Sequence, residues 1–521
     1  MEEINKNKGF SHQIKKWLTI ALILSVILEM FFFPSFVNFA GCIMTCITWF
    51  IYSKNFTDSR LIVRYPFAYI MFMSMFLYRY LPLFFTLIEG KPISYGFEMG
   101  AETFLYETIL FLVSSLAFYM ACKDYKKTVI KNNALQKFLY KIGFYNNYNA
   151  AVLWGLGFFG LAMRLLHFST GQVEYGDAGG KFLSALQYLM YAPMCLLFPK
   201  LLGFPETNKK WVNIYVISIF VLNIASNSRQ AIITPLATYA LLFVLNMLRN
   251  KIDFLKLISP AKLIIGGLAI IYLLGVLSDL SLAMLATRTI RKDVSKGELF
   301  SETISIYQDE QQMQKLRNLS ETVLEENGGE SEAVSYKNGW DESYIDNFMV
   351  NRYANLRITD QILYYVDIVG WNSEMMQTDF YNRIFLILPT PVLTFFNIEL
   401  SKEQMAFSRA DLISSSPVRG RRVTSHVGDG LATFGIWYFP IQFILFYVLF
   451  KLLNCISIFN GSVTMYSAYG LMNLFSFLAL FRNANGCLVD LGYILRGFWE
   501  GLFTYLVVLF VVKRISLFLK K

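Results

Sequence analysis

Charge is scarce in this sequence. Only 16% of its 521 residues are Asp, Glu, Lys or Arg, against 55% hydrophobic and 17% aromatic. A soluble globular domain carries about 25% charged residues, so a water-soluble globule is excluded. Histidine is scarcer still, with three in the chain. The six cysteines (Cys42, Cys46, Cys122, Cys195, Cys455, Cys487) fall mostly inside apolar runs at no metal-ligand spacing. Cys42 and Cys46, four apart on one candidate helix, read as packing residues in the lipid phase. There is no phosphate-cradling P-loop, no HExxH and no Cys/His cluster, and IEGKPISYGFEMGAE (88–102) holds Glu98 and Glu102 without a DxD pair. Metal-dependent chemistry is therefore not expected. FAGC at 39–42 has the look of a lipoprotein cleavage site, but it stands too late and inside an apolar run. No internal repeat is evident.

Apolar runs are what the sequence does have. A spanning helix needs about 20 mostly apolar residues. Such runs stand near 18–35, 36–52, 66–88, 101–122, 150–168, 182–203, 211–226, 230–248, 262–286, 430–453, 463–481 and 501–518, with Pro34 interrupting the first pair. The chain reads as an all-α polytopic membrane protein of about twelve transmembrane helices.

The net charge of +10 is explained by loops rather than by a nucleic-acid partner, because Lys and Arg concentrate on the cytoplasmic side of membrane proteins. With a cytoplasmic N-terminus, Lys6–Lys16, Lys54–Arg64, Lys123–Lys141, Lys200–Lys210, Arg249–Lys256 and Lys513–Lys521 all fall inside. The short outer loops hold little beyond Lys91, Lys181, Arg229, Arg482 and Arg496. Both termini are then cytoplasmic. Residues 1–286 carry helices one to nine, 287–429 form one large extracytoplasmic loop, and 430–521 carry helices ten to twelve.

That loop is mixed in character. SETISIYQDEQQMQKLRNLSETVLEEN has apolar residues near helical spacing and reads as a surface helix. Residues 326–343 are acidic and glycine-bearing, which suits a mobile stretch. NRYANLRITDQILYYVDIVG (351–370) is amphipathic. NRIFLILPTPVLTFFNI (383–398), broken by Pro389 and Pro391, reads as re-entrant or interfacial.

Chemistry-bearing residues gather at the outer face. RGRRVTSHVGDGLATFGIW (419–437) sets Arg419, Arg421 and Arg422 just before His426, Asp429 and the glycines Gly428 and Gly430. His12 lies in the cytoplasmic tail and His167 ends a span, so His426 is the one histidine of the outer loop. A well-placed histidine takes a proton near neutral pH, a step worth about 10²–10⁴-fold, and Asp429 is a competing base or an orienting partner. Arg229 in SNSRQAI joins a guanidinium to a helix N-terminus, a combination suited to phosphate. Arg288, Arg291, Arg352, Arg357, Arg409 and Arg482 (in FRNANG) extend the outward cations. The bland reading of each is a lipid headgroup or a neighbouring carboxylate. The cluster at 409–422 together with Arg229 favours an anionic ligand. Glu29, Arg79, Arg164 and Asp279 lie inside apolar runs. Such residues are functional candidates, although Arg79 and Arg164 stand near outer helix ends where snorkelling would also serve.

SNSRQAI opening a helix after a tight outer hairpin, a large late loop, and TSHVGDGLATFGIW with Gly435 nine residues after His426 together resemble the Wzy-type O-antigen and capsule polysaccharide polymerases of bacteria. The resemblance to the O-antigen ligases is more distant. It rests on topology from first span to last and on short, loose motifs, and no second glycine follows the FG in FGIWYFP. It implies a class C glycosyltransferase-like fold in the bacterial cytoplasmic membrane, with neither metal nor any other cofactor. The implied donor is a glycan on undecaprenyl pyrophosphate and the acceptor a single lipid-linked repeat unit, joined with inversion at the anomeric carbon. The lipid bilayer and a chain-length regulator are the implied partners. His426 or Asp429 would serve as base and the arginines as the pyrophosphate clamp. A ligase-like transferase and a lipid-linked glycan flippase are the competing readings. A flippase is expected to show paired half-repeats and midplane groups, whereas the polar residues here gather in one late loop.

Overall fold

The computed structural model describes residues 8–128, 131–146, 148–169, 183–205, 208–224, 229–252, 260–287, 296–316, 336, 339–388, 390–397, 407–416, 422–461 and 463–518. Helices dominate. α1 (Lys8–Phe32) and α2 (Phe36–Asn55) are parted at Pro34, which has no N–H to donate to a helix, and Ser35 caps α2 by accepting from the Asn38 N–H. Then come α3 (Pro66–Ile88), α4 (Gly100–Cys122), α5 (Ala134–Lys141), α6 (Ala150–Ser169), α7 (Lys209–Ile224), α8 (Arg229–Arg249) and α9 (Pro260–Ala286). The expected outer loop contains α10 (Lys296–Gln308), α11 (Phe348–Ala354), α12 (Arg357–Val369), α13 (Glu374–Ile387) and α14 (Arg409–Ile413). The chain closes with α15 (His426–Phe434), α16 (Tyr438–Asn454), a hairpin of β1 (Ser457–Phe459) and β2 (Thr464–Tyr466), α17 (Cys487–Gly492) and α18 (Phe498–Phe518).

Among the described residues, six helical stretches are long and apolar enough to cross a membrane: Phe36–Asn55, Pro66–Ile88, Gly100–Lys126, Ala231–Arg249, His426–Asn454 and Cys487–Phe518. Their inner faces meet in an aromatic core where α3, α4 and α16 pack together. Phe72 stacks on Phe118 at 4.5 Å between ring centres, and Phe450 meets Phe118 edge-on at 5.2 Å. Their outer faces are apolar too, with Phe50, Phe503 and Phe510 exposed. Apolar side chains both inside and out suit a lipid surround, since water would penalise so large an exposed patch. This is a helical membrane protein.

Three expected elements take other forms. The run at 182–203 is a 3₁₀-helix (Gln187–Leu197) followed by a short turn (Pro199–Leu201). Pro193 lies within it, and Gly157 and Gly160 of α6 let it approach closely: a Cβ on Gly160 would stand 2.1 Å from the Met190 nitrogen. The run at 463–481 is no single helix. Its first residues pair back in register, Ser457 opposite Tyr466, across a turn at Gly461 with φ of +95°. Two five-residue helices, Ala468–Met472 and Leu474–Leu478, follow. Hydropathy recorded burial there, not helix length. Lastly, the boundary at 430 moves back to Ser425, the N-cap of α15, and Gly435 at φ +55° then separates α15 from α16.

Within the expected surface helix, α10 packs on α9 through the buried Leu299 and Thr303. Most of 326–343 lies outside the described residues. The 383–398 run ends α13 and forms the short helix Thr390–Phe395, with Phe395 80% exposed, which fits an interfacial position.

Candidate functional site

The quoted stretch folds as a helix start. The Ser425 hydroxyl accepts from the Gly428 N–H at 3.0 Å, which fixes the first turn of α15. Gly428 and Gly430 are not turn residues. Each admits a neighbour too close for a side chain, Ile362 of α12 at 2.1 Å from a Cβ at 428 and the Tyr438 ring at 2.0 Å from one at 430. His426 and Asp429 therefore sit inside a packed helix rather than at the end of an outer loop, and each is about 1% exposed.

His426 is enclosed. Its ring stacks on Phe481 at 4.8 Å and 13°, its backbone N–H donates to the Asn483 carbonyl at 3.0 Å, and its Nδ1 lies 4.0 Å from Asp490 Oδ2. Neither ring nitrogen has a hydrogen-bond partner among the described residues, and neither does Asp490 Oδ1. Asp490 Oδ2 accepts from Gln442 at 2.6 Å. Asp429 is engaged elsewhere: its Oδ1 binds Arg409 Nε at 2.5 Å. Arg409 also holds Asp379 at 2.7 Å and Thr433 at 2.5 Å. Burial opposes the charge of Arg409, but Asp429 and Asp379 outweigh it and hold the guanidinium above the ordinary arginine value.

Beside the histidine runs a second buried chain. Arg79 of α3 pairs with Glu107 of α4 at 2.6 Å, with both side chains sealed from solvent. Arg79 does not snorkel. Glu107 Oε1 also accepts from Thr359 of α12 at 2.6 Å and from Asn483 at 3.0 Å. Three parts of the chain far apart in sequence thus converge on one carboxylate. Of the other intraspan charges, Glu29 accepts from the Ile93 N–H at 2.8 Å, Arg164 donates to Gln187 at 2.6 Å, and Asp279 is half-buried on α9.

The structure sorts the expected arginines. Arg357 is buried against Asp341 at 2.5 Å and the Ser343 carbonyl at 2.6 Å. Arg409 is taken up as described, so these two are internal ties. Arg422 donates to Ser414 at 2.7 Å and lies 5.3 Å from the Trp340 ring centre. Arg288, Arg291, Arg419 and Arg421 lie outside the described residues, as does the side chain of Arg229, whose backbone opens α8.

Arg352 and Arg482 differ from all of these. Each lies close enough for its charge to act on Tyr78 and Tyr353, and the Tyr78 hydroxyl donates to the Arg352 carbonyl at 2.6 Å. Among the described residues neither guanidinium has a carboxylate partner, and Arg482 Nε has no hydrogen-bond partner. Burial, together with the like charge of Arg352, pushes Arg482 below the usual arginine range. Two cations held together without a counter-charge suit an anion.

The FRNANG stretch joins the two regions. Phe481 and Asn483 contact His426, and Arg482 between them lies within the field of the Arg352 charge. Gly486 passes so close to Asp429 that a Cβ would stand 2.2 Å from its Oδ2.

Asp360 is a third buried acid, and it serves the fold. It accepts from the Glu98 and Met99 N–H groups at 2.8 and 3.1 Å, from Thr103 at 2.9 Å and from Tyr336 at 2.8 Å. It thereby caps α4 from a distance. Burial raises its pKa to about 6.

Glu107, Asp379, Asn483 and Asp490 were not singled out from sequence. Glu107 and Asp490 interrupt apolar runs, and that was the available signal. Among the described residues no group of three or more His, Cys, Asp or Glu side chains could hold a metal ion. Comparison of the chain with protein-family models, with curated proteins and with solved structures finds no match.

Proposed function

We propose that the chain is a polysaccharide polymerase of the bacterial cytoplasmic membrane, with a class C glycosyltransferase-like fold of about twelve spans and both termini cytoplasmic. It joins undecaprenyl-pyrophosphate-linked repeat units at the outer face. The observation that carries this reading is the Arg352–Arg482 pair, two guanidiniums without a carboxylate partner among the described residues. They lie in the expected outer loop and in the expected outer FRNANG turn, so the charge pattern puts both on the outer side.

In the proposed reaction the acceptor hydroxyl attacks the anomeric carbon of the donor glycan. The bond from that carbon to the pyrophosphate oxygen breaks, and undecaprenyl pyrophosphate leaves with the bonding electrons. Fixed guanidiniums stabilise the charge that develops on the leaving group, the role a metal fills elsewhere. The hydroxyl proton goes to a base. Asp429 is held by Arg409, which leaves His426 as the better acceptor, with Asp490 behind it to stabilise the imidazolium. His426 is covered by Phe481, so the acceptor reaches it only when that ring swings aside.

The test is the lipid-linked glycan profile of a deletion strain complemented with variants. Loss of the protein should leave single repeat units at the outer face, and Arg482→Lys, which keeps the charge but loses the fork, should restore little polymer. Units trapped on the inner face would mean a flippase. Full polymer without transfer to its final acceptor would mean a ligase.

A further inference from the structure

A cavity of about 520 Å³ lies at the far end of the bundle from the arginine pair by the charge pattern, between the end of α5, the start of α6 and the end of α18. Lys141, Tyr148, Asn149, Lys513 and Ser516 line it, with Val152 and Leu517 as its apolar wall. Lys513 is fixed. Its ammonium donates to the Gly143 carbonyl at 3.0 Å and the Asn146 carbonyl at 3.4 Å, and it stands 5.2 Å from the Tyr148 ring centre. An ammonium has three donors, so one is left for a ligand. Lys141 is exposed, and neither lysine has a carboxylate partner among the described residues. Asn149 Oδ1 is occupied by the Val152 N–H at 2.8 Å, which leaves its amide N–H groups available.

The donor set calls for an anion, and the surroundings say which kind. The outer face of α18 that runs away from the cavity is apolar, with Phe503, Val507, Phe510 and Val511 exposed. A soluble anion has no use for that face, whereas an acyl chain does. Lysines at the cytoplasmic end of spanning helices are where anionic headgroups are held.

We propose that this cavity binds the phosphate headgroup of an anionic phospholipid of the inner leaflet, with Lys513 and Lys141 as its cations and an acyl chain along α18. The inference rests on the chain spanning a membrane in the orientation its charge pattern implies, and not on the polymerase reading.

The experiment uses the full chain in nanodiscs of phosphatidylcholine doped with phosphatidylglycerol of the same tails, with lipid retention read by native mass spectrometry and stability by thermal unfolding. Phosphatidylglycerol should be retained and should raise the unfolding midpoint. Each of Lys513→Gln and Lys141→Gln should weaken retention about fivefold, the weight of one cation near a membrane surface. Lys141 is exposed, so its variant should fold normally even if Lys513→Gln does not. Lys123→Gln, an exposed lysine at the same end by the charge pattern but outside the cavity and off α18, should change nothing. Equal retention of phosphatidylcholine, or unchanged retention in Lys141→Gln, would overturn the proposal. So would inorganic phosphate reproducing the stabilisation, since that marks a site for a soluble anion.

Discussion

Asp490 stands 4.0 Å from Nδ1 of His426, and both side chains are sealed from solvent. Among the described residues neither ring nitrogen of the histidine has a hydrogen-bond partner, nor does the second carboxylate oxygen. Buried polar atoms left unpartnered cost about 1–3 kcal/mol each. Such an arrangement is poor as a structural tie.

If His426 serves chemistry, an apolar ring should satisfy the fold in its place, because the imidazole already stacks on Phe481. His426→Phe is expected to keep the unfolding free energy within about 1 kcal/mol of the wild type and to leave lipid-linked single units in place of polymer. Thermal unfolding and glycan analysis of one preparation check both halves. Polymer of normal length from His426→Phe would remove the histidine from the mechanism.

The Arg79–Glu107 pair should behave in the opposite way. Taking one partner from a buried pair strands the other charge and costs about 3–5 kcal/mol. Glu107→Gln should therefore lower the unfolding midpoint sharply, and Arg79→Met combined with Glu107→Leu should cost less than the sum of the single changes. Additive losses in that double-mutant cycle would show that the two side chains are not coupled.

Arg409, buried, and Arg482, half-buried, have different expected consequences. Arg409→Lys cannot hold Asp429, Asp379 and Thr433 at once, so stability should fall. Arg482→Lys should leave the unfolding midpoint nearly unchanged while polymer is lost. If the two variants show the same profile, the division between internal tie and ligand clamp fails.

Asp360 gives a pH signature. Its folded pKa of about 6 lies above the ordinary 3.8, because burial outweighs its four donors. The folded state thus holds the proton longer than the unfolded chain, and this contribution is full below pH 3.8 and lost as pH rises through about 6. Between these limits the wild type should lose stability relative to Asp360→Asn. A pH-independent difference between the two proteins would place the titration elsewhere.

Gly428→Ala tests the packing of α15 on α12. The added methyl would overlap Ile362, and overpacking of this kind costs about 1–3 kcal/mol. Gly275→Ala on α9, where nothing lies within 4 Å of an added Cβ, should cost less. Thermal unfolding decides.

Hydropathy made much of the fold legible. Pro34 marks a real break between α1 and α2. Hydropathy failed where burial came without helix length, as in the β1–β2 hairpin, since Ile458 and Tyr466 are as buried as any spanning residue. The site was legible only in part. Sequence can show that Arg409 and Arg482 are both arginines near the outer face. Only the fold shows that the first meets two carboxylates and the second meets another arginine. Glu107 acquires its meaning from Thr359 and Asn483, which lie 252 and 376 positions away.

The Phe481–Arg482–Asn483 run sends its outer members to the histidine and the acid, while its middle member carries a charge that feels that of Arg352. Three consecutive residues with three separate partners make the segment sensitive to length more than to composition. Inserting or deleting a single codon there would shift side chains of the run off their partners. In a library of variants, indels at 481–483 should be depleted among functional clones even where point substitutions at the same positions survive.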